Sequence, residues 1–460
     1  MGSCGSTKKT VVAGEIASDA AAPAAAAEAP PAGAQPKARA ARKPRPTITP
    51  GGNPDNKVIL PDGSLANVEG YEINPEEDYF NKYDTNCTTI LNNELAALKR
   101  CLNLARETDM FEDPDFDPDH NGPKLMYTSG EPPAPGYTDP ERVEWRRPRE
   151  WAPKSAFFSG GISSNDVVQG ALGDCWFIGA LSTLATRDKL LCGSIRRLTS
   201  GDLIKTKLDV IGLSKGVYPP IFHPFAKKGI YCLKFFISAG WRYVIIDDRL
   251  CVHKGQNNLV FAHCLNPDEL WVPLIEKAYA KLFGSYEALN SGLIDDALVD
   301  MTGLVAEKIK LKKIKGNRDA LDEFWNKLWK YRKNKTLMGC SIEGHTEGEV
   351  RWDGDRTGLL SGHAYSLVDV LHYEEPSGPD GVYRLLRIRN PWGRMEWIGP
   401  WANGSDELSD FKDGVMAEVK KLGPDEKFDP FDRNDGTFLM EILDWSEIYH
   451  NVFACVDFPD

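Results

Sequence analysis

The segment from Cys175 to Ala185, CWFIGALSTLA, carries no charge and is apolar on nearly every side. A helix of that character belongs in the middle of a fold, packed on all its faces. Gly170, Gly173 and Asp174 form a turn just before it. Cys175 is therefore placed in the first turn of a buried helix, where the positive end of the helix dipole favours the charged, nucleophilic form of a thiol. Such a cysteine is either a small apolar core group or a nucleophile. The second role needs a histidine brought over from elsewhere in the chain.

The remaining segments indicate an α+β fold in two halves. NNELAALKRCLNLARET has apolar spacing near 3.6 and predicts a helix capped by Asn92 or Asn93. A proline-rich stretch follows to about Ala156. Within it, Asp117 to Gly122 (DPDHNG) matches half of a calcium-binding EF-hand loop. The twelfth position is Thr128, where a bidentate glutamate is needed, and Pro114 and Pro118 disrupt the entering helix. A solvated acidic loop is expected there. GIYCLKFFISAGWRYVIIDDRLCV reads as a β-hairpin, and ELWVPLIEKAYAKLFGSYEAL and LDEFWNKLWKYRKN read as amphipathic helices. GHAYSLVDVLHY, VYRLLRIRNPWG and GTFLMEIL read as antiparallel strands. The division expected is a tail over 1–57, an extension with an anchor helix over 58–140, a helical lobe over 141–302 and a β lobe over 303–460.

Of the eight histidines, His363 follows Gly362 and opens a strand. The next strand ends at Asn390, before Pro391. Adjacent antiparallel strands can set His363 and Asn390 side by side, so that the amide oxygen fixes the ring and the other ring nitrogen faces a thiol. Trp392 is placed to shield that hydrogen bond from water. Gln169, six residues before Cys175, is placed to donate to an oxyanion together with the Cys175 N–H. Each of these residues alone has an ordinary core or surface reading; the ordered set is more specific.

The net charge of −12 argues against broad nucleic-acid binding. No apolar run approaches the length of a membrane span, and no secretory leader opens the chain. The ten cysteines show neither paired metal-type spacing nor a dense framework, so reduced thiols in a cytosolic setting are expected. The start, MGSCGSTKKT, has Gly2 and Ser6 in an N-myristoylation pattern and Cys4 placed for a second acyl chain. One acyl chain anchors marginally, whereas two, or one with basic residues, hold well. Lys8 and Lys9 follow, and Lys37, Arg39, Arg42, Lys43 and Arg45 form a second basic cluster suited to anionic lipid. The Ala/Pro/Gly-rich stretch between reads as a disordered tether. A monomer held peripherally on the inner face of a membrane is the expectation.

QGALGDCWFIGALSTLA, LIEKAYAKLFGSYEAL, GHAYSLVDV and IRNPWG, with FEDPDF, VEWRRPREW and WIGPW, resemble the protease core of the calpains, over roughly Asn92 to Pro459. The resemblance implies a papain-like core of two lobes with the cleft between them, and limited intracellular proteolysis of protein substrates that depends on calcium. It implies Cys175 as nucleophile, His363 as base, Asn390 as orienter, Gln169 as oxyanion donor and Trp392 as shield. It also implies a calcium loop in each lobe: Ser159, Gly161, Asp166 and Glu269 in the first, Glu396 and Asp435 in the second. In the second, Asn403 stands for an aspartate and Thr437 for a glutamate, which should weaken a divalent site. Ser164 stands where the family has an arginine that pairs with that glutamate, so another means of closing the cleft is expected. The chain stops near the end of the core, and a core-only protein is the expectation. The alternatives are a catalytically silent scaffold of the same fold at the membrane, and a transglutaminase-like acyl transferase.

Overall fold

The computed structural model describes residues 85–134, 137–159, 161–192, 216–238, 240–352, 354–378, 381–421 and 435–456, with the backbone of three short strands at Val11–Ala13, Lys57–Ile59 and Leu65–Asn67. The acylation positions Gly2 and Cys4 and the basic cluster lie outside the described residues. Helices and antiparallel sheets together make an α+β fold.

The chain enters through helix α1 (Thr85–Glu107), whose Leu98 and Cys101 are buried. DPDHNG does not form a loop. Asp117 caps helix α2 (Pro118–Met126) by accepting the Asp119 N–H at 3.0 Å. Pro118 occupies a first-turn position, where its missing N–H costs nothing. The expected loop is absent because Pro118, a breaker in a helix interior, suits a helix start. Asn121 leaves helical geometry and kinks the element, and Arg249 pairs with Asp119 at 2.7 Å.

Helix α3 (Cys175–Leu184) is buried from Trp176 to Leu184. Its few polar side chains are satisfied: Ser182 donates to the Ser164 carbonyl at 3.1 Å, and Thr183 to the Gly179 and Met338 carbonyls at 3.0 and 3.1 Å. The predicted hairpin is formed by β1 (Tyr231–Ile237) and β2 (Gly240–Ile246). Behind it runs α4 (Trp271–Phe283), ended by Gly284 in the left-handed region. Lys277 of α4 is fully buried against Asp247. Burial alone would raise the Asp247 carboxyl, but Lys277 and other donors outweigh it and hold the group down at about 2. Helix α5 (Ile294–Thr302) packs beside α3 and closes this half.

The second half is a six-stranded antiparallel sheet. Its strands are β3 (Val305–Lys310), β4 (Leu337–Ile342), β7 (His363–Glu374), β8 (Val382–Arg389), β9 (Thr437–Glu441) and β10 (Asn451–Val456), in the order β3-β10-β4-β7-β8-β9. A side hairpin of β5 (Gly348–Trp352) and β6 (Asp355–Ser361) leads into β7. Helix α6 (Arg318–Lys333) is capped by Asn317, which accepts the Ala320 N–H at 3.1 Å. It buries Leu321, Phe324, Trp325, Leu328 and Tyr331, a stripe at helical spacing.

Most of one large apolar cluster comes from residues 97–301, and a second from residues 311–454. The halves meet where α3 and α5 pack on β4 and β7. Ser366 of β7 donates to the Gly179 carbonyl of α3 at 2.8 Å, so this seam is hydrogen-bonded as well as apolar.

Candidate active site

The seam sets the start of α3 beside the start of β7. Cys175 is half-buried at the first turn of α3, and His363 is the first residue of β7, with its side chain fully buried. Sheet register places the histidine: His363 lies opposite Ile342 of β4, and β7 pairs with β8 from Ser366↔Arg389 onward. Asn390 follows β8 directly and is wholly buried. The His363 Nε2 lies 3.0 Å from Asn390 Oδ1. That oxygen also accepts the Trp392 N–H at 3.0 Å, while the Asn390 amide donates to the Met395 carbonyl at 3.0 Å. The amide is thereby held oxygen-first toward the ring. Trp392 lies edge-on to the imidazole, with ring centroids 5.3 Å apart.

The other ring nitrogen meets a residue that the sequence does not single out. Glu347 sets a carboxylate oxygen 2.6 Å from His363 Nδ1. Gly362, at φ +63°, lays its Cα against the Thr346 carbonyl and the Glu347 nitrogen, where a Cβ would stand 2.6 Å from the Thr346 oxygen. Only a glycine allows that approach. The Thr346–Glu347 backbone therefore runs past the residue preceding the histidine. An acid sixteen residues from His363, on a connector of unknown register, gave no signal in the sequence.

With acceptor oxygens at both nitrogens, the ring is satisfied only when doubly protonated. Burial works against that charge, but the hydrogen bonds to Cys175 and Glu347 outweigh it, and the His363 pKa is raised to about 10. The Cys175 sulfur, a His363 nitrogen and a Glu347 oxygen all lie within 4.8 Å of one another. Behind Cys175, Asp174 and Glu276 form a buried carboxyl pair; burial raises Asp174 to about 7 and takes Glu276 well above its ordinary range.

Gln169 is buried; its N–H donates to the Pro391 carbonyl of the second half at 2.9 Å. Its side-chain amide donates to the Leu172 carbonyl at 2.7 Å, which commits one of two amide hydrogens and fixes the group on the turn before Cys175.

In the first half, Asp166 and Glu269 are both buried. Asp166 accepts the Ser163 N–H at 2.8 Å, and Glu269 accepts the Ser159 N–H at 3.1 Å. Both carboxylates act on the same Cys264 thiol, which burial raises well above its usual range. Gly161 takes φ +114° with open space around its Cα. Carboxylate oxygens are hard ligands of the kind calcium takes.

The second-half cluster is different. The Asn403 amide nitrogen donates to Glu396 Oε2 and to the Thr437 carbonyl, both at 2.8 Å, and the Gly436 N–H donates to Glu396 Oε1 at 2.9 Å. An amide nitrogen cannot ligate a cation, and here it fills the space between two oxygens. The residues Glu396, Asn403, Asp435 and Thr437 do not fit a calcium ion in this arrangement.

The same cluster ties the halves together. The Asn165 amide donates to Asp435 at 2.9 Å, and Thr437 Oγ1 donates to Asn165 Oδ1 at 3.2 Å. The Arg389 guanidinium reaches the Asp435 carbonyl and Thr437 Oγ1 on one side, then the Asn165 and Val167 carbonyls on the other at 3.1 and 2.8 Å. Burial lowers the Arg389 pKa to about 10. Ser164 is buried and gives its carbonyl to Ser182. Its neighbour Asn165 makes the cross-half contact instead. Neither Asn165 nor Arg389 stood out in the sequence, because an uncharged amide and a strand arginine are ordinary until their partners are known.

A half-buried cysteine at a helix start, facing a histidine oriented by a buried asparagine across two packed halves, is the arrangement of a papain-like cysteine peptidase. The comparisons agree. Residues 111–456 match the family model "Calpain family cysteine protease". Calpain-9 of Mus musculus is 35% identical over 353 residues, 76% of this chain and 43% of the relative. Calpain clp-1 of Caenorhabditis elegans is 34% identical over 363 residues, 78% of this chain and 39% of the relative. The calpain-type cysteine protease DEK1 of Arabidopsis thaliana is 32% identical over 372 residues, 79% of this chain and 15% of the relative. This chain belongs to the calpain family of cysteine proteases. It spans less than half the length of these three relatives.

Proposed function

We propose that the chain is a calcium-assisted cysteine endopeptidase that performs limited proteolysis on proteins near a membrane. One observation carries the peptidase reading: His363 is held by Asn390 on one nitrogen and reaches the Cys175 thiol and Glu347 on its other side. In the reaction, the Cys175 thiolate attacks the scissile carbonyl. The oxyanion is met by the Cys175 N–H, which has no helical carbonyl to bond, and by the remaining Gln169 amide hydrogen. His363 passes its proton to the leaving amine as the C–N bond breaks, leaving an acyl-enzyme. Water, deprotonated by His363, then releases the acid and regenerates the thiol. Asn390 holds the ring in plane throughout, and Trp392 keeps water from that hydrogen bond.

The calcium reading is supported by Asp166 and Glu269. Asp166 lies three residues before Gln169, so a cation there would order the oxyanion side of the cleft. The hydrogen bonds of Asn165 and Arg389 align the halves without a metal ion, which makes calcium an accelerator rather than a requirement. The membrane reading rests on Gly2, Cys4 and the basic residues of the tail. Among the described residues no helix is long and apolar enough to cross a membrane.

The test is hydrolysis of a fluorescently labelled unfolded protein by the full chain, with Cys175→Ser as control. Cleavage by the parent chain alone is expected. Cleavage by both would reject Cys175 as nucleophile, and cleavage by neither, from folded protein, would leave the silent scaffold.

A further inference from the structure

We propose that Cys175, His363 and Glu347 form a binding site for a transition-metal cation of the zinc class, and that the cation blocks the nucleophile when bound. Among the described residues, these three are the one group of histidine, cysteine and carboxylate side chains close enough to share a metal ion, with ligand atoms all within 4.8 Å. Thiolate, imidazole and carboxylate are each established zinc ligands, whereas thiolate and imidazole do not suit calcium. The site is therefore chemically distinct from the Asp166–Glu269 cluster.

The geometry needs little adjustment. Zinc bonds of about 2.0–2.3 Å in a tetrahedron place ligand atoms roughly 3.3–3.7 Å apart. The 2.6 Å contact between Glu347 and His363 Nδ1 must open by under about 1.5 Å on that basis. Glu347 can retreat, since its side chain is 36% exposed. The exposed side, where Glu347 lies, leaves the fourth position to water. The outer shell is already built: a metal-bound histidine commonly gives its other N–H to an oxygen acceptor, and Nε2 has Asn390 Oδ1 at 3.0 Å.

Binding replaces the proton held between Nδ1 and Glu347, together with the thiol proton where present, and both leave to solvent. No electrons are exchanged. The cation then occupies the sulfur lone pair and Nδ1 at once, the two atoms that hydrolysis requires. Because it competes with protons, binding tightens as pH rises.

The test uses the full chain freed of metal, titrated with zinc chloride in a competition assay, with cobalt(II) as the optical probe. One equivalent is expected to bind, with a thiolate-to-cobalt charge-transfer band that is lost in Cys175→Ser and in Cys175→Ala. Glu347→Gln should weaken zinc binding about tenfold or more, at least the loss that follows removal of an outer-shell partner. Zinc should also protect Cys175 from alkylation, less so in Glu347→Gln. Circular dichroism of each variant separates lost binding from lost folding. A band that persists without Cys175, or equal zinc affinity with and without Glu347, would overturn the proposal. These readouts do not depend on turnover, so a chain that fails to cleave protein leaves the metal site decided on its own.

Discussion

Two acid clusters flank the cleft, and they use negative charge in different ways. In the first half, Asp166 accepts the Ser163 N–H of its own turn, Glu269 accepts the Ser159 N–H of a segment distant in sequence, and both carboxylates act on the Cys264 thiol. In the second, Glu396 and Asp435 accept from Asn403, Gly436, Thr437 and the cross-half amide of Asn165. The first keeps its two carboxylates on backbone N–H donors. The second has become a hydrogen-bonded joint. The Asn403 amide and the Thr437 hydroxyl supply donors there, where a cation would gather oxygens. The joint then holds the halves by the hydrogen bonds of Asn165 to Asp435 and Thr437 and by the buried Arg389 guanidinium.

The largest effect expected on this contrast is at Arg389. Arg389→Met strips a buried cation from acceptors in both halves and should cost about 3–5 kcal/mol, measured by urea unfolding. A loss under about 1 kcal/mol would mean the joint does not hold the halves. Next is the reverse change. Asn403→Asp with Thr437→Glu should destabilise the calcium-free chain by about 1–3 kcal/mol, because the carboxylates lose donors and gain like charges. Calcium at a hundredfold excess over its Kd should then return about 2.7 kcal/mol. Unfolding curves with and without calcium that coincide would break the contrast from the other side.

The third prediction concerns Glu347. His363 gains partners on folding and its pKa is raised to about 10. Its contribution to stability is complete below its ordinary value of 6.5 and is lost as pH rises through about 10. The alkaline limb of kcat/KM should lie near the raised value. Glu347→Gln should move it down by about 1–3 pH units; an unmoved limb would mean that the carboxylate does not act on the ring. The smallest effect is at Asp166. Asp166→Asn should reduce any calcium stimulation of kcat/KM about tenfold, about 1.4 kcal/mol, and leave the calcium-free rate within a few-fold. Full stimulation in that variant would remove the first-half cluster from the account.

What the sequence made legible follows the same division. The helix of Cys175 is evident because a stretch apolar on all sides has one place to go. His363 and Asn390 are evident because each opens or closes a strand and only neighbouring strands bring them together. The second-half departures, Asn403, Thr437 and Ser164, could be read as lost charge. Their consequence could not, because it depends on which donors face which acceptors across the seam. Asn165, Arg389 and Glu347 have ordinary residue types in ordinary positions, and only the packed structure gives them partners. The DPDHNG segment failed for a local reason, since Pro118 helps a helix begin as readily as it breaks one.

The most direct measurement is the alkylation of Cys175 by an epoxide inhibitor of cysteine peptidases, followed by mass spectrometry across a calcium titration, with Cys175→Ser as control. Labelling of Cys175 is expected in calcium-free buffer, because the seam already sets the thiol beside His363, and faster labelling as calcium is added. Folded protein in which Cys175 stays unlabelled at every calcium concentration would contradict that expectation.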